Sequence, residues 1–129
     1  MSNELILIIE DDDNGRTLLR DVLQLTGYRT IDSATAEEGI VLAGRHRPAL
    51  ILMDIHLPGM NGIQALRSLR GDSETRNIPV IAVTASVMND QQQEIMAAGF
   101  DGFERKPISV PAVLNTVRAT LDGRAAPPA

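Results

Sequence analysis

The stretch Ala49-Leu50-Ile51-Leu52-Met53-Asp54-Ile55-His56-Leu57-Pro58-Gly59-Met60-Asn61-Gly62 decides the fold. Five apolar residues run straight into an acid, which reads as a buried strand that ends at Asp54. Pro58-Gly59 and Asn61-Gly62 are turn pairs, so the chain reverses directly afterwards. Strands buried on both faces belong to helix-covered parallel sheets, and such sheets place ligands beyond their carboxyl ends. Asp54 stands at that edge. A lone acid there more often merely ends a strand, so its importance rests on its neighbours.

Working outward, the same grammar recurs on both sides. Leu5 to Ile9 is a short apolar run that reads as a second buried strand, and it leads into four acids, Glu10 to Asp13. One of these, or Asn14, caps a helix carrying Leu18, Leu19, Val22 and Leu23, which Gly27 stops. Tyr28 to Asp32 alternates weakly and reads as a more exposed strand. Thr35-Ala36-Glu37-Glu38 is a capping box for a helix with Ala36, Ile40 and Ala43 on one face, and Pro48 closes the connection.

Downstream, a helix starts near Gly62 with Ile63, Leu66 and Leu69 inward, and Gly71 to Asn77 is a loop. Pro79 to Thr84 is a buried strand ending on a hydroxyl. Asn89 and Gln92 cap a helix that carries Ile95 and Met96 and stops at Gly99. Phe100 to Arg105 is polar enough to be an edge strand. Ser109 caps a last helix with Val110, Val113, Leu114, Val117 and Leu121 in amphipathic spacing. Residues 1–123 are thus expected to form one domain and 124–129 a disordered tail. Strand and helix alternate five times, predicting an α/β fold: a doubly wound, five-stranded parallel (βα)5 sheet of flavodoxin-like order 2-1-3-4-5.

Composition narrows the function. A length of 129 residues suits a single core. The net charge of -5 argues against a nucleic-acid footprint, and 2% aromatics against a base-stacking surface. No apolar run approaches a membrane span, the N-terminus lacks a signal-peptide pattern, and zero cysteines exclude disulfides and thiolate metal sites. A cytoplasmic protein is the expectation. Of 12 basic residues, 11 are arginine and only Lys106 is lysine. A compact ammonium suits a phosphate as a point charge, which an arginine fork does not mimic.

In a parallel sheet all strand C-termini share one edge. That edge collects Glu10 and Asp11, Asp54, Thr84 and Lys106 from four strand ends. Acids after the first strand would repel a bare phosphate, and clustered carboxylates repel one another unless a cation joins them. A hard divalent cation such as Mg²⁺, which takes carboxylate, water and phosphoryl oxygens, resolves both conflicts. Asp is a nucleophile toward phosphoryl groups, and in-line transfer needs positioning and charge neutralisation above all. Lys106 and the Thr84 hydroxyl would serve the transferred oxygens, whereas Asp12 and Asp13 suit the helix dipole.

Taken together, Glu10-Asp11, Asp54 with Leu57-Pro58-Gly59-Met60-Asn61-Gly62, Thr84-Ala85 and Lys106-Pro107 resemble the receiver domain of two-component response regulators, from about Glu4 to Leu121. The likeness is to CheY-like receivers, especially stand-alone ones of the CheY and DivK type. The resemblance implies that Asp54 accepts a phosphoryl group from a sensor histidine kinase or a histidine phosphotransfer protein. It implies Mg²⁺ held by Asp11 and Asp54, by Glu10 through water, and by the backbone carbonyl of His56, with Thr84 and Lys106 on the phosphoryl group. It further implies switching through Thr84 and an inward turn of Phe103, on a face of helix four, strand five and helix five. A cis bond between Lys106 and Pro107, and tuning of the phosphoryl lifetime by His56 and Ser86, are also implied.

Phe103 lacks a phenol hydroxyl, and Glu104 stands where receivers carry an aliphatic residue, so strand five is expected to be exposed or salt-bridged there. His46 reads as a helix C-terminal cation. A phospho-acceptor switch that acts on a downstream protein target, as a monomer or weak homodimer and not as an enzyme, is the leading reading. A metal-dependent phosphohydrolase of the haloacid dehalogenase type would want an Asp two residues after the nucleophile, where this chain has His56. A binding-only receiver that never takes phosphate is the third reading, opposed by the full set of site residues.

Overall fold

A computed structural model describes residues 3–85 and 89–125, with the side chains of 89–92, 124 and 125 left aside. Five strands and five helices alternate: β1 (Leu5–Ile9), α1 (Asp13–Leu25), β2 (Arg29–Ser33), α2 (Ala36–His46), β3 (Leu50–Asp54), α3 (Gly62–Arg70), β4 (Val80–Thr84), α4 (Asn89–Ala97), β5 (Gly102–Arg105) and α5 (Val110–Ala125). The sheet is parallel throughout, in the order β2-β1-β3-β4-β5. The doubly wound topology expected from the sequence is therefore the observed one.

Side-chain alternation along the central strands divides the core in two. Leu7, Ile9, Ile51, Met53, Val80 and Ala82 pack with Ala36, Ala43, Ala65, Leu66, Leu69 and Ile95, beneath α2, α3 and α4. Ile6, Ile8, Leu50, Leu52, Ile81 and Val83 pack on the other side with Leu19, Leu23, Val113, Val117 and Leu121 of α1 and α5. The register pairs Ile9 with Met53 and Asp54 with Val83, so Glu10 and Asp54 leave neighbouring strands side by side.

Helix starts follow their capping residues. Asp12 accepts from the Gly15 amide at 2.8 Å and so emerges as the cap of α1. The Thr35 hydroxyl accepts from Glu38 N, and Asn61 with Gln64 forms a complete capping box at α3. The Ser109 hydroxyl accepts from Ala112 N at 3.4 Å.

Several expectations need correction. β3 ends at Asp54 as expected but starts at Leu50, one residue after Ala49. β5 begins only at Gly102, because the Asp101 carboxylate occupies the Val80 amide and stands in for the first rung. Leu18 and Met96 are 41% and 44% exposed, since neighbours on a helix lie about 100° apart and Leu19 and Ile95 take the buried direction. Asn89 is the first residue of α4; its side chain, like Gln92, lies outside the described ones. α5 runs through Gly123 to Ala125, so Arg124 and Ala125 belong to the helix and not to a tail. Gly123 is not among the glycines with positive φ, unlike Gly27 and Gly99, which do turn the chain. Residues 126–129 are outside the described residues.

Candidate functional site

Four strand ends build the site. Glu10 follows β1 and is buried, Asp54 closes β3 and is buried, and Thr84 closes β4 with no exposure at all. Lys106 follows β5, and its amide donates to the Thr84 carbonyl at 2.8 Å, tying these two ends together. Its ammonium forms ion pairs with Glu10 and, at 3.1 Å, with Asp54 Oδ2. The other Asp54 oxygen accepts from the His56 amide at 2.9 Å. The Lys106–Pro107 peptide bond is cis.

The reversal after Asp54 is tight. The Gly62 amide returns to the Ile55 carbonyl at 2.9 Å, and a Cβ on Gly62 would lie 2.8 Å from Ile55 Cα and 2.9 Å from the Asp54 carbonyl. Glycine at 62 is thus what lets α3 start directly behind the acid. The His56 ring itself is exposed.

The carboxylates of Glu10, Asp11 and Asp54 offer oxygens within 4.8 Å of one another. Burial, reinforced by Asp54, pushes Glu10 up to about 7 against the opposing pull of Lys106. Burial also works to raise Asp54, but hydrogen bonds from Glu10, the His56 amide and Lys106 outweigh it, so Asp54 lies below the usual carboxylate range. Burial disfavours the Lys106 ammonium, and its two carboxylate partners more than offset that, raising it. Near neutral pH the site therefore holds an ionised Asp54, a charged Lys106 and a Glu10 that shares a proton.

Two buried oxygens here have no hydrogen bond among the described residues: Glu10 Oε1, which keeps only its ion pair with Lys106, and the Thr84 hydroxyl. An orphaned buried hydroxyl is costly unless a ligand completes it. The donor set is entirely oxygen, with three carboxylates against one ammonium, and this fits a hard divalent cation such as Mg²⁺.

Most residues singled out in the sequence converge here: Glu10, Asp11, Asp54, Thr84 and Lys106, with His56 alongside. Phe103 is half-buried on β5 and packs against the core under α2, α3 and α4. Glu104 is not exposed, and among the described residues it is not paired with a cation; it is half-buried and accepts from the Thr116 hydroxyl of α5 at 2.5 Å. Ser86 lies outside the described residues. His46 lies beside Arg45 in the last turn of α2.

Arg16 was missed. Its guanidinium donates to the Glu10 carbonyl at 2.9 Å and pairs with Asp13. The available signal was a basic residue three positions after an acid at a helix start.

Comparison with known proteins agrees with this geometry. The sequence profile of the response regulator receiver domain matches residues 6–118. The polar-differentiation response regulator DivK of Brucella anthropi is 41% identical over 116 residues, covering 90% of this chain and 94% of its own; DivK of Brucella ovis is 40% identical over the same shares. Among solved structures, the receiver domain of a Pseudomonas aeruginosa PAO1 sensor histidine kinase superposes with a TM-score of 0.86 at 28% identity, covering 93% of this chain and 98% of that one. That structure holds a magnesium ion coordinated in its active-site cleft. A CheY-like receiver domain from Methanospirillum hungatei JF-1 reaches a TM-score of 0.87 at 27% identity over 96% of this chain and 98% of its own.

Proposed function

The chain belongs to the response regulator receiver domain family, and from that premise we propose that it is a phosphorelay switch whose Asp54 takes a phosphoryl group in the presence of Mg²⁺. The observation that carries this reading is the imbalance at the strand ends: an ionised buried Asp54, an excess of carboxylate and a Thr84 hydroxyl with no partner among the described residues, all at one point.

The donor is a phosphohistidine of a sensor histidine kinase or a histidine phosphotransfer protein. An Asp54 oxygen attacks phosphorus, the phosphorus–nitrogen bond breaks, and an acyl phosphate forms while the electron pair leaves with the imidazole. Asp11, Asp54, the His56 carbonyl and, through water, Glu10 would hold Mg²⁺, which would supply neutralisation of the phosphoryl oxygens. Asp54 is kept ionised by the His56 amide and Lys106. Lys106 moves its attraction from the carboxylates to a phosphoryl oxygen, and the Thr84 hydroxyl donates to another. Thr84 then draws β4 inward, Phe103 follows, and the α4–β5–α5 face changes for a downstream protein target. The chain thereby promotes its own phosphorylation and dephosphorylation without turning over an external substrate; His56 and Ser86 set the lifetime.

A helical donor has a face to meet. Leu18 and Leu25 are 41% and 89% exposed seven residues apart on one side of α1, and Leu18 shares a groove with Lys106, Pro107 and Ile108. Among the described residues no helix is long and apolar enough to cross a membrane. The proposed donor puts the protein in the cytoplasm, as a monomer or weak homodimer.

The test is intact-mass measurement after incubation with acetyl phosphate and Mg²⁺. A single phosphoryl adduct is expected, absent without Mg²⁺ and absent from a folded Asp54→Asn variant. Adduct retained in that variant would place the acceptor elsewhere.

A further inference from the structure

Four consecutive acids follow β1, yet they have four separate fates. Asp12 caps α1 through the Gly15 amide. Asp13 is taken by Arg16 at 2.5 Å. Glu10 turns inward to Lys106, and Asp11 is left with its carboxylate near those of Glu10 and Asp54. The second arm of Arg16 reaches back six residues to the Glu10 carbonyl at 2.9 Å. The Glu10 amide still belongs to the sheet, donating to the Ser33 carbonyl at 3.0 Å. Glu10 is therefore gripped at both ends of its backbone unit, by the ladder on one side and by the guanidinium on the other. The Arg16 side chain is 21% exposed, and it is held by these two acceptors.

We propose that Arg16 is a positioning residue for the metal site: its fork holds the Glu10 carbonyl and withdraws Asp13, which fixes the direction in which Glu10 and Asp11 leave β1. The inference rests on the Mg²⁺ reading above and adds a residue to it. Mg²⁺ demands near-octahedral geometry, whereas Ca²⁺ tolerates irregular sites, so a loosened turn penalises Mg²⁺ more. Partners that orient metal ligands are commonly worth about 10- to 100-fold in affinity.

The sign of the effect separates this role from simple charge. Arg16 is a cation beside a cation site. As a mere neighbouring charge it weakens metal binding, and its removal would tighten it. As a positioning residue it strengthens binding, and its removal loosens it. Calorimetric titration of the full chain with MgCl₂ and then CaCl₂ distinguishes the two. Arg16→Met should weaken Mg²⁺ about 10-fold and Ca²⁺ less, so that the preference for Mg²⁺ shrinks. Arg16→Lys keeps the charge but cannot span both acceptors, and should weaken Mg²⁺ as well. Arg70→Met, at the opposite edge of the sheet, should lower stability and leave both affinities unchanged. Tighter or unchanged Mg²⁺ binding in Arg16→Met and Arg16→Lys would overturn the inference while leaving the site intact. No Mg²⁺ binding by the parent protein would overturn the site and the inference together.

Discussion

Two ionic clusters sit at opposite edges of the same sheet, and they are built on opposite principles. At the amino-terminal edge, Arg70 engages both terminal nitrogens: one serves the carbonyls of Arg76 and Ile78, the other reaches Asp101 at 2.9 Å and the Gly99 carbonyl. Asp101 in turn accepts from the Val80 amide at 2.8 Å. Charges and hydrogen bonds balance there. At the carboxyl-terminal edge they do not: Lys106 faces Glu10 and Asp54, Asp11 adds a third carboxylate, and the Thr84 hydroxyl has no partner among the described residues. A saturated cluster is a clasp that joins α3, β4 and β5. An unsaturated one retains capacity for a ligand, and its imbalance is tolerated because the surrounding strands are buried and fixed.

The largest effect expected from breaking this contrast is kinetic and confined to one edge. Lys106→Ala should slow phosphoryl acceptance from acetyl phosphate by about 10²–10³-fold, the usual loss when one preorganised donor to a developing charge is removed. Initial rates of adduct formation by mass spectrometry check this. A rate within a factor of a few of the parent would mean that Lys106 only balances resting charge.

Next in size is a thermodynamic loss at the other edge. Arg70→Met should cost about 1–3 kcal/mol, because Asp101 and three carbonyls lose a charged partner, discounted for partial exposure. The denaturant midpoint should fall while the acetyl phosphate rate stays as it was. A rate that falls with it would show that the two edges are coupled through β4 and β5, and that the distinction between clasp and site is false.

The contrast also accounts for what was legible in the sequence. Apolar runs of five residues and turn pairs gave the strands, and strand order followed from which runs were most apolar. The site residues were legible because a parallel sheet gathers strand ends, so Glu10, Asp54, Thr84 and Lys106 needed no knowledge of contacts. Local patterns could not say which of two adjacent apolar residues a helix buries, as Leu18 and Met96 show. Nor could they reveal long-range polar partners. Arg70 meets Asp101 across 31 positions, and the β5 start is displaced by that carboxylate. Glu104, expected to be exposed or salt-bridged, instead finds the Thr116 hydroxyl on α5. Partners of this kind are fixed by packing that no local window contains.

The smallest effect expected is in the pH dependence of stability, and it reports the imbalance directly. Burial holds Glu10 at about 7, above its ordinary value of 4.5. Between those values the folded protein keeps a proton that the unfolded chain has released, so stability should fall as pH rises through this window. Asp54 is shifted downward from 3.8, so its stabilising contribution is already complete above pH 5 and is lost only as pH falls further. Lys106 is raised above 10.5 and contributes no slope here. Melting temperatures at pH 5.5 and pH 7.5 should therefore decrease by a few degrees in metal-free buffer, and Glu10→Gln should flatten that decrease. Because Mg²⁺ competes with the same proton, its stabilisation should grow with pH up to about 7 and then level off. A metal-free protein that gains stability across this window, with Glu10→Gln unchanged from the parent, would mean that Glu10 is already balanced by Lys106 and that the two edges are alike.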